Sequence, residues 1–86
     1  MMREEKRKPL TAKEAAEVGV KFLAELKNLA KYDISLEEIE VTDDKSCWLV
    51  TLGYPRSGGL DTEKEFKIVK VDAQTGEVLS IKISSI

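Results

Sequence analysis

The sequence predicts an α+β domain in which one N-terminal helix lies across a four-stranded antiparallel meander sheet. Three observations carry that expectation. Apolar residues recur at steps of three and four from Ala15 to Ala30, the recurrence shortens to two from Leu36 onward, and the segments after that are joined by short turn-forming clusters. A period near 3.6 marks one face of a helix and a period of two marks one face of a strand. Short connections join antiparallel neighbours, because a parallel return needs a long crossover. At 86 residues the chain has room for one domain, and a hydrophobic share of 42% argues against disorder.

Residues 1–9 read as a polar arm, frayed and solvated, with residues 10–86 forming the domain. Its mixed charges are too few and too impure for a nucleic-acid-binding tail. Thr11-Ala12-Lys13-Glu14 fits a capping box, with the Thr11 hydroxyl accepting from the Glu14 amide and the Glu14 carboxylate reaching back to the Thr11 amide. The helix is expected over about residues 11–31, its stripe formed by Ala15, Ala16, Gly19, Phe22, Leu23, Leu26, Leu29 and Ala30. Glu17 and Lys21 stand in the favourable i,i+4 order. Gly19 lowers helix propensity, and its place on the stripe points to close approach of another backbone.

Leu36, Ile39 and Val41 alternate with Glu37, Glu38, Glu40 and Thr42 as a first strand with one wet face. Residues 42–46 supply a turn. The second strand, Cys47–Tyr54, sends Trp48, Val50, Leu52 and Tyr54 to one side and Cys47, Leu49, Thr51 and Gly53 to the other. Pro55–Asp61, with adjacent glycines, is read as a flexible loop. The third strand, about Lys64–Asp72, carries Phe66 and Ile68 on one parity and Val69 and Val71 on the other, so either a β-bulge lies near Ile68-Val69 or both faces are apolar. Asp72–Gly76 forms a hairpin loop with Gly76 free to take positive φ. The last strand, Glu77–Ser84, turns Leu79, Ile81 and Ile83 toward the helix together with Trp48, Val50 and Leu52. Stability is expected to be modest, with apolar surface left over for a partner.

Composition excludes several chemistries. A net charge of −2 gives no overall field for nucleic acid or an anionic membrane. No histidine is present, which removes the commonest general base and metal ligand and rules out Ser-His or Cys-His pairs within one chain. One cysteine, Cys47, can neither close an internal disulfide nor build a zinc site. No apolar run approaches the ~20 residues that span a bilayer, and no secretory h-region follows the charged start. The resulting expectation is a cytoplasmic protein that is not an enzyme and carries no cofactor or metal. Composition and spacing by themselves assign no activity.

The segment Phe66-Lys67-Ile68-Val69-Lys70-Val71-Asp72-Ala73-Gln74-Thr75-Gly76-Glu77-Val78-Leu79 resembles the signature of PepSY-like domains, in which an aromatic strand enters a V-D-A-x-T-G-E-V hairpin and a closing strand. The order of elements before it is similar: an alanine-rich helix, a strand, then a strand with an aromatic residue where Trp48 stands. The signature spans about a sixth of the chain. It implies a small α+β fold of PepSY- or cystatin-like type that binds other proteins, as in peptidase propeptides where such domains inhibit or assist folding. Without that resemblance the hairpin has a purely structural meaning, with Asp72 and Thr75 bonding nearby amides.

Single residues are read conservatively. Cys47 is expected to be structural and Trp48 to belong to the core. The acids Glu37, Glu38, Glu40, Asp43 and Asp44 lack calcium-loop spacing and read as a solvated face. A lone helix covers one face of a sheet, so the second face is the candidate contact surface for a protein partner or a second copy. On the parity above it comprises Cys47, Leu49, Val69 and Val71, with Val78 added if the register allows. Tyr54, Arg56 and Leu60 around the glycine loop form a separate candidate contact. The alternative function is small-molecule binding or sensing in a pocket between helix and sheet.

Overall fold

A computed structural model describes residues 8–55 and 63–84. It contains one α-helix, α1 (Ala12–Lys27), a short 3₁₀ turn (Lys31–Asp33), and strands β1 (Ser35–Val41), β2 (Cys47–Pro55), β3 (Lys64–Asp72) and β4 (Val78–Ile83). The strands form one antiparallel sheet in the order β1-β2-β3-β4, with α1 packed on one face. The expected α+β meander is therefore the observed architecture. Of the arm at residues 1–9, only Lys8 and Pro9 are described, and both are exposed.

The capping box forms as the sequence indicates: the Glu14 amide donates to Thr11 Oγ1 at 3.2 Å, and the Thr11 amide donates to Glu14 Oε1 at 2.9 Å. The helix stops four residues earlier than its apolar stripe suggests. Asn28 takes the left-handed conformation (φ 57°, ψ 47°), and the amides of Asn28 and Leu29 both donate to the Ala24 carbonyl. Both bonds converge on that one carbonyl as the chain turns out of the helix, and asparagine tolerates the left-handed region. Leu29 still packs against the core, now from the turn.

Ala15, Gly19, Leu23 and Ala24 are the buried helix positions. They meet Val50, Leu52 and Tyr54 of β2 and Val69 and Val71 of β3. At Gly19 a Cβ would lie 3.3 Å from Val50 Cγ1, so the missing side chain sets the helix-to-sheet distance. Trp48 is half-buried on this face, and its indole N–H donates to the Leu10 carbonyl at 3.1 Å, fastening β2 to the helix entry.

The β2–β3 register runs without interruption over nine pairs, from Cys47↔Asp72 to Pro55↔Lys64. No bulge occurs at Ile68-Val69, and β3 is apolar on both faces. The irregularities lie in the outer strands. Glu37 is the extra residue between Leu36↔Leu52 and Glu38↔Thr51, and Leu79 is the extra residue between Lys70↔Ser80 and Val71↔Val78. Each bulge shifts parity by one residue. In β1 this places Leu36 on the same face as Ile39 and Val41. In β4 it turns Val78 toward the helix and leaves Leu79 exposed. The expectation that Leu79, Ile81 and Ile83 share the helix-covered face holds only for Ile81 as a packed residue. Ile83 lies on that face but is 78% exposed, because α1 packs chiefly over β2 and leaves the end of the edge strand uncovered.

Candidate interaction surface

The face of the sheet away from α1 is assembled from cross-strand rows, since directly paired residues share a face. One row reads Glu40, Leu49, Lys70, Ser80 and the next reads Glu38, Thr51, Ile68, Lys82. A third brings Ser35, Gly53 and Phe66 together. The middle of this face is thus apolar, with Leu49, Phe66 and Ile68 half-buried by the long side chains around them. Thr51, at 7% exposure, is the buried residue between them. Carboxylates border the face along β1 and ammonium groups along β3 and β4, with the Asp72 carboxylate at the end of β3 beside Cys47. No helix or loop among the described residues lies over it.

At one end the border is cross-linked. The Ser35 hydroxyl donates to Glu37 Oε2 at 2.6 Å, and the Lys64 ammonium donates to the same oxygen at 3.2 Å and to Ser35 Oγ at 3.3 Å. Those bonds, the serine hydroxyl's first, hold the Glu37 carboxyl below the usual range. The side chain has room because position 53 is glycine: a Cβ there would stand 2.7 Å from Glu37 Oε2 and 3.0 Å from Phe66 Cε1. Chemically the cluster is a set of donors gathered on one carboxylate, and it straps the β1 bulge across to β3.

The candidate contact residues do not share one surface. Leu49 belongs to the open face as expected. Val69 and Val71 do not. They pair with Val50 and Trp48, face α1 and are fully buried, so they are core residues. Their places on the open face are taken by Phe66 and Ile68, the opposite parity of β3. Val78 also faces the helix, through the Leu79 bulge. Tyr54 is 2% exposed and therefore no loop contact. Its hydroxyl donates to Glu65 Oε1 at 3.0 Å, and Lys27 Nζ stands 5.6 Å from its ring centroid. Burial, then the Glu65 carboxylate, pushes the phenol up to about 12. Arg56 and Leu60 lie outside the described residues. Cys47 is buried at the edge of the open face, with Ser46 Oγ 3.6 Å from its sulfur.

The Asp72–Gly76 hairpin is held by local hydrogen bonds. Asp72 Oδ1 accepts from the amides of Gln74 (2.8 Å) and Thr75 (3.0 Å), Thr75 Oγ1 accepts from the Glu77 amide, and Gly76 sits at φ +78°. Ala73, 2% exposed, donates through its amide to the Ser46 carbonyl and accepts at its own carbonyl from the Leu10 amide at 2.7 Å. The hairpin is thereby tied to both the β1–β2 turn and the helix entry. Beside it lies a surface groove of about 540 Å³, bordered by Leu10, Glu14, Val18, Lys21, Thr75 and Gly76. Among the described residues no cluster of acids or cysteine is arranged to hold a metal ion, and no helix is long and apolar enough to cross a membrane.

Comparison of the chain with family models, with curated proteins and with solved structures finds no match. The likeness to PepSY-like domains accordingly rests on the residues of the hairpin and on the order of elements.

Proposed function

We propose that this protein is a non-catalytic interaction module, PepSY-like in character, that binds or regulates a protein partner such as a peptidase through the open face of its sheet. The supporting observation is the asymmetry of the two faces. One is sealed by α1 over Val50, Leu52, Val69 and Val71, while the other presents Leu49, Phe66 and Ile68 inside a ring of charges. A rigid antiparallel sheet with an apolar centre and a polar rim has the anatomy of a protein contact. The test is affinity capture with the whole chain and with its Leu49→Lys variant, melted in parallel to confirm folding. Capture of a defined partner that the variant no longer holds supports the reading, and identical behaviour of both chains contradicts it.

The groove beside α1 favours a second reading, recognition of a small molecule. The space between helix and sheet is filled by side chains, so such a ligand would sit at the helix flank. Thermal-shift screening separates the two, because a ligand that binds only the folded chain raises its melting temperature in proportion to ln(1 + [L]/Kd).

A further inference from the structure

The geometry points to a second copy of this chain as an occupant of the open face, docked about a two-fold axis that runs parallel to the strands. The inference rests on the open face being a contact surface, and it is carried by the way charge is distributed there. Glu38 and Glu40 stand on β1, whereas Lys70 stands on β3 and Lys82 on β4; Asp72, at the end of β3, is engaged by the Gln74 and Thr75 amides of its own turn. At ~4.8 Å per strand, carboxylates and ammonium groups are about 10–14 Å apart across one face, too far to pair within the chain. None of the four makes an ion pair among the described residues, in contrast to Glu37 and Lys64, which pair at 3.2 Å. The face is therefore electrically lopsided, with its apolar residues near the dividing line.

With the strands of the two sheets kept aligned, identical faces meet about an axis along the strands or about one across them. An axis across the strands lays β1 on its own copy and sets carboxylate against carboxylate. An axis along the strands lays β1 over the copy's β4 and β2 over the copy's β3. Glu38 then opposes the copy's Lys82, and the reciprocal pair forms on the other side. Ile68 of each copy lies near the axis, above the other's buried Thr51, with Leu49 beside the copy's Lys70. Such an interface is isologous and closed, and sheets so stacked keep strand directions aligned within about 30°. Four strands over about six residues give a footprint of roughly 400 Å², below the ~800 Å² per partner of a standard interface. The dimer is consequently weak and concentration-dependent, and charge rather than area selects its geometry.

Sedimentation equilibrium on the full chain, from about 10 µM to about 1 mM, is the experiment. A reversible monomer–dimer equilibrium is expected, weakened by about 0.5 M salt. Glu38→Lys with Glu40→Lys, or Lys70→Glu with Lys82→Glu, raises the dimer Kd about tenfold or more. The two double variants mixed together associate again, and all four substitutions in one chain restore the homodimer with its polarity reversed. A chain that stays monomeric throughout, a dimer indifferent to both double reversals, or a fourfold variant that fails to recover overturns the inference. If the chain is monomeric while Leu49→Lys still abolishes capture of another protein, the second copy is excluded and the interaction-module reading stands. If Leu49→Lys alters neither, both fail.

Discussion

At the scale of single residues, the two hairpin turns among the described residues are governed by one aspartate each. Asp44 Oδ1 accepts from the Thr42 hydroxyl, the Ser46 amide and the Ser46 hydroxyl at 2.7–3.0 Å, and its carboxyl is lowered from 3.8 to about 2, the Ser46 hydroxyl contributing most. Asp72 is lowered by the Thr75 and Gln74 amides. A carboxyl whose folded value is depressed adds stability that is complete above its unfolded value and lost as pH falls through the folded one. For Asp44 that window runs from 3.8 down to about 2. Urea midpoints should therefore drop across this range, and the Asp44→Asn, Asp72→Asn double variant should show a flatter profile. An unaltered profile would remove these carboxyls as the cause. In the same turn Lys45 is held at φ +61°. Glycine adopts that conformation without the Cβ penalty but loses more chain entropy on folding, so Lys45→Gly should stabilise by about 0.5 kcal/mol in chemical denaturation.

At the scale of elements, the contact between α1 and β2 depends on an absent side chain and one indole. The 3.3 Å approach available to a Cβ at Gly19 leaves no volume for a branched residue. Gly19→Leu should push the helix away from Val50 and cost about 1–3 kcal/mol, even though leucine is the better helix former. A more stable Gly19→Leu protein would show that the approach is not tight. Trp48→Phe keeps a ring in the core but leaves the Leu10 carbonyl without its donor. The expected loss is about 1 kcal/mol, read from thermal or urea unfolding. The sequence makes the capping box, the strand bounds of β2 and β3 and the Asp72–Gly76 turn legible, because each is specified by side chains within a few residues. The end of α1 is not, since a stripe that continues through Leu29 and Ala30 is satisfied equally by one more helical turn or by a loop folding back.

At the scale of the whole molecule, the two faces of the sheet should respond differently to truncation. Leu52, fully buried under α1, should cost about 2–5 kcal/mol as Leu52→Ala. Leu49, half-buried on the open face, should cost about 1 kcal/mol or less as Leu49→Ala. Equal losses from the two would mean that the open face is sealed after all. This contrast was only half legible beforehand. The face of β2 that is buried follows from Trp48, Val50, Leu52 and Tyr54 in unbroken alternation. For β3 the count is tied, with Phe66 and Ile68 on one parity and Val69 and Val71 on the other.

By itself the sequence determined one helix, four strands in a meander and the chemistry of the turns, because periodicity and local hydrogen bonding act over short stretches of chain. Tertiary structure alone decided which parity of β3 joins the core, where the bulges at Glu37 and Leu79 reverse the phase of the edge strands, and hence which residues line the open face. A one-residue shift in register exchanges the two faces of a strand, and only pairing with β2 under the helix fixes that register.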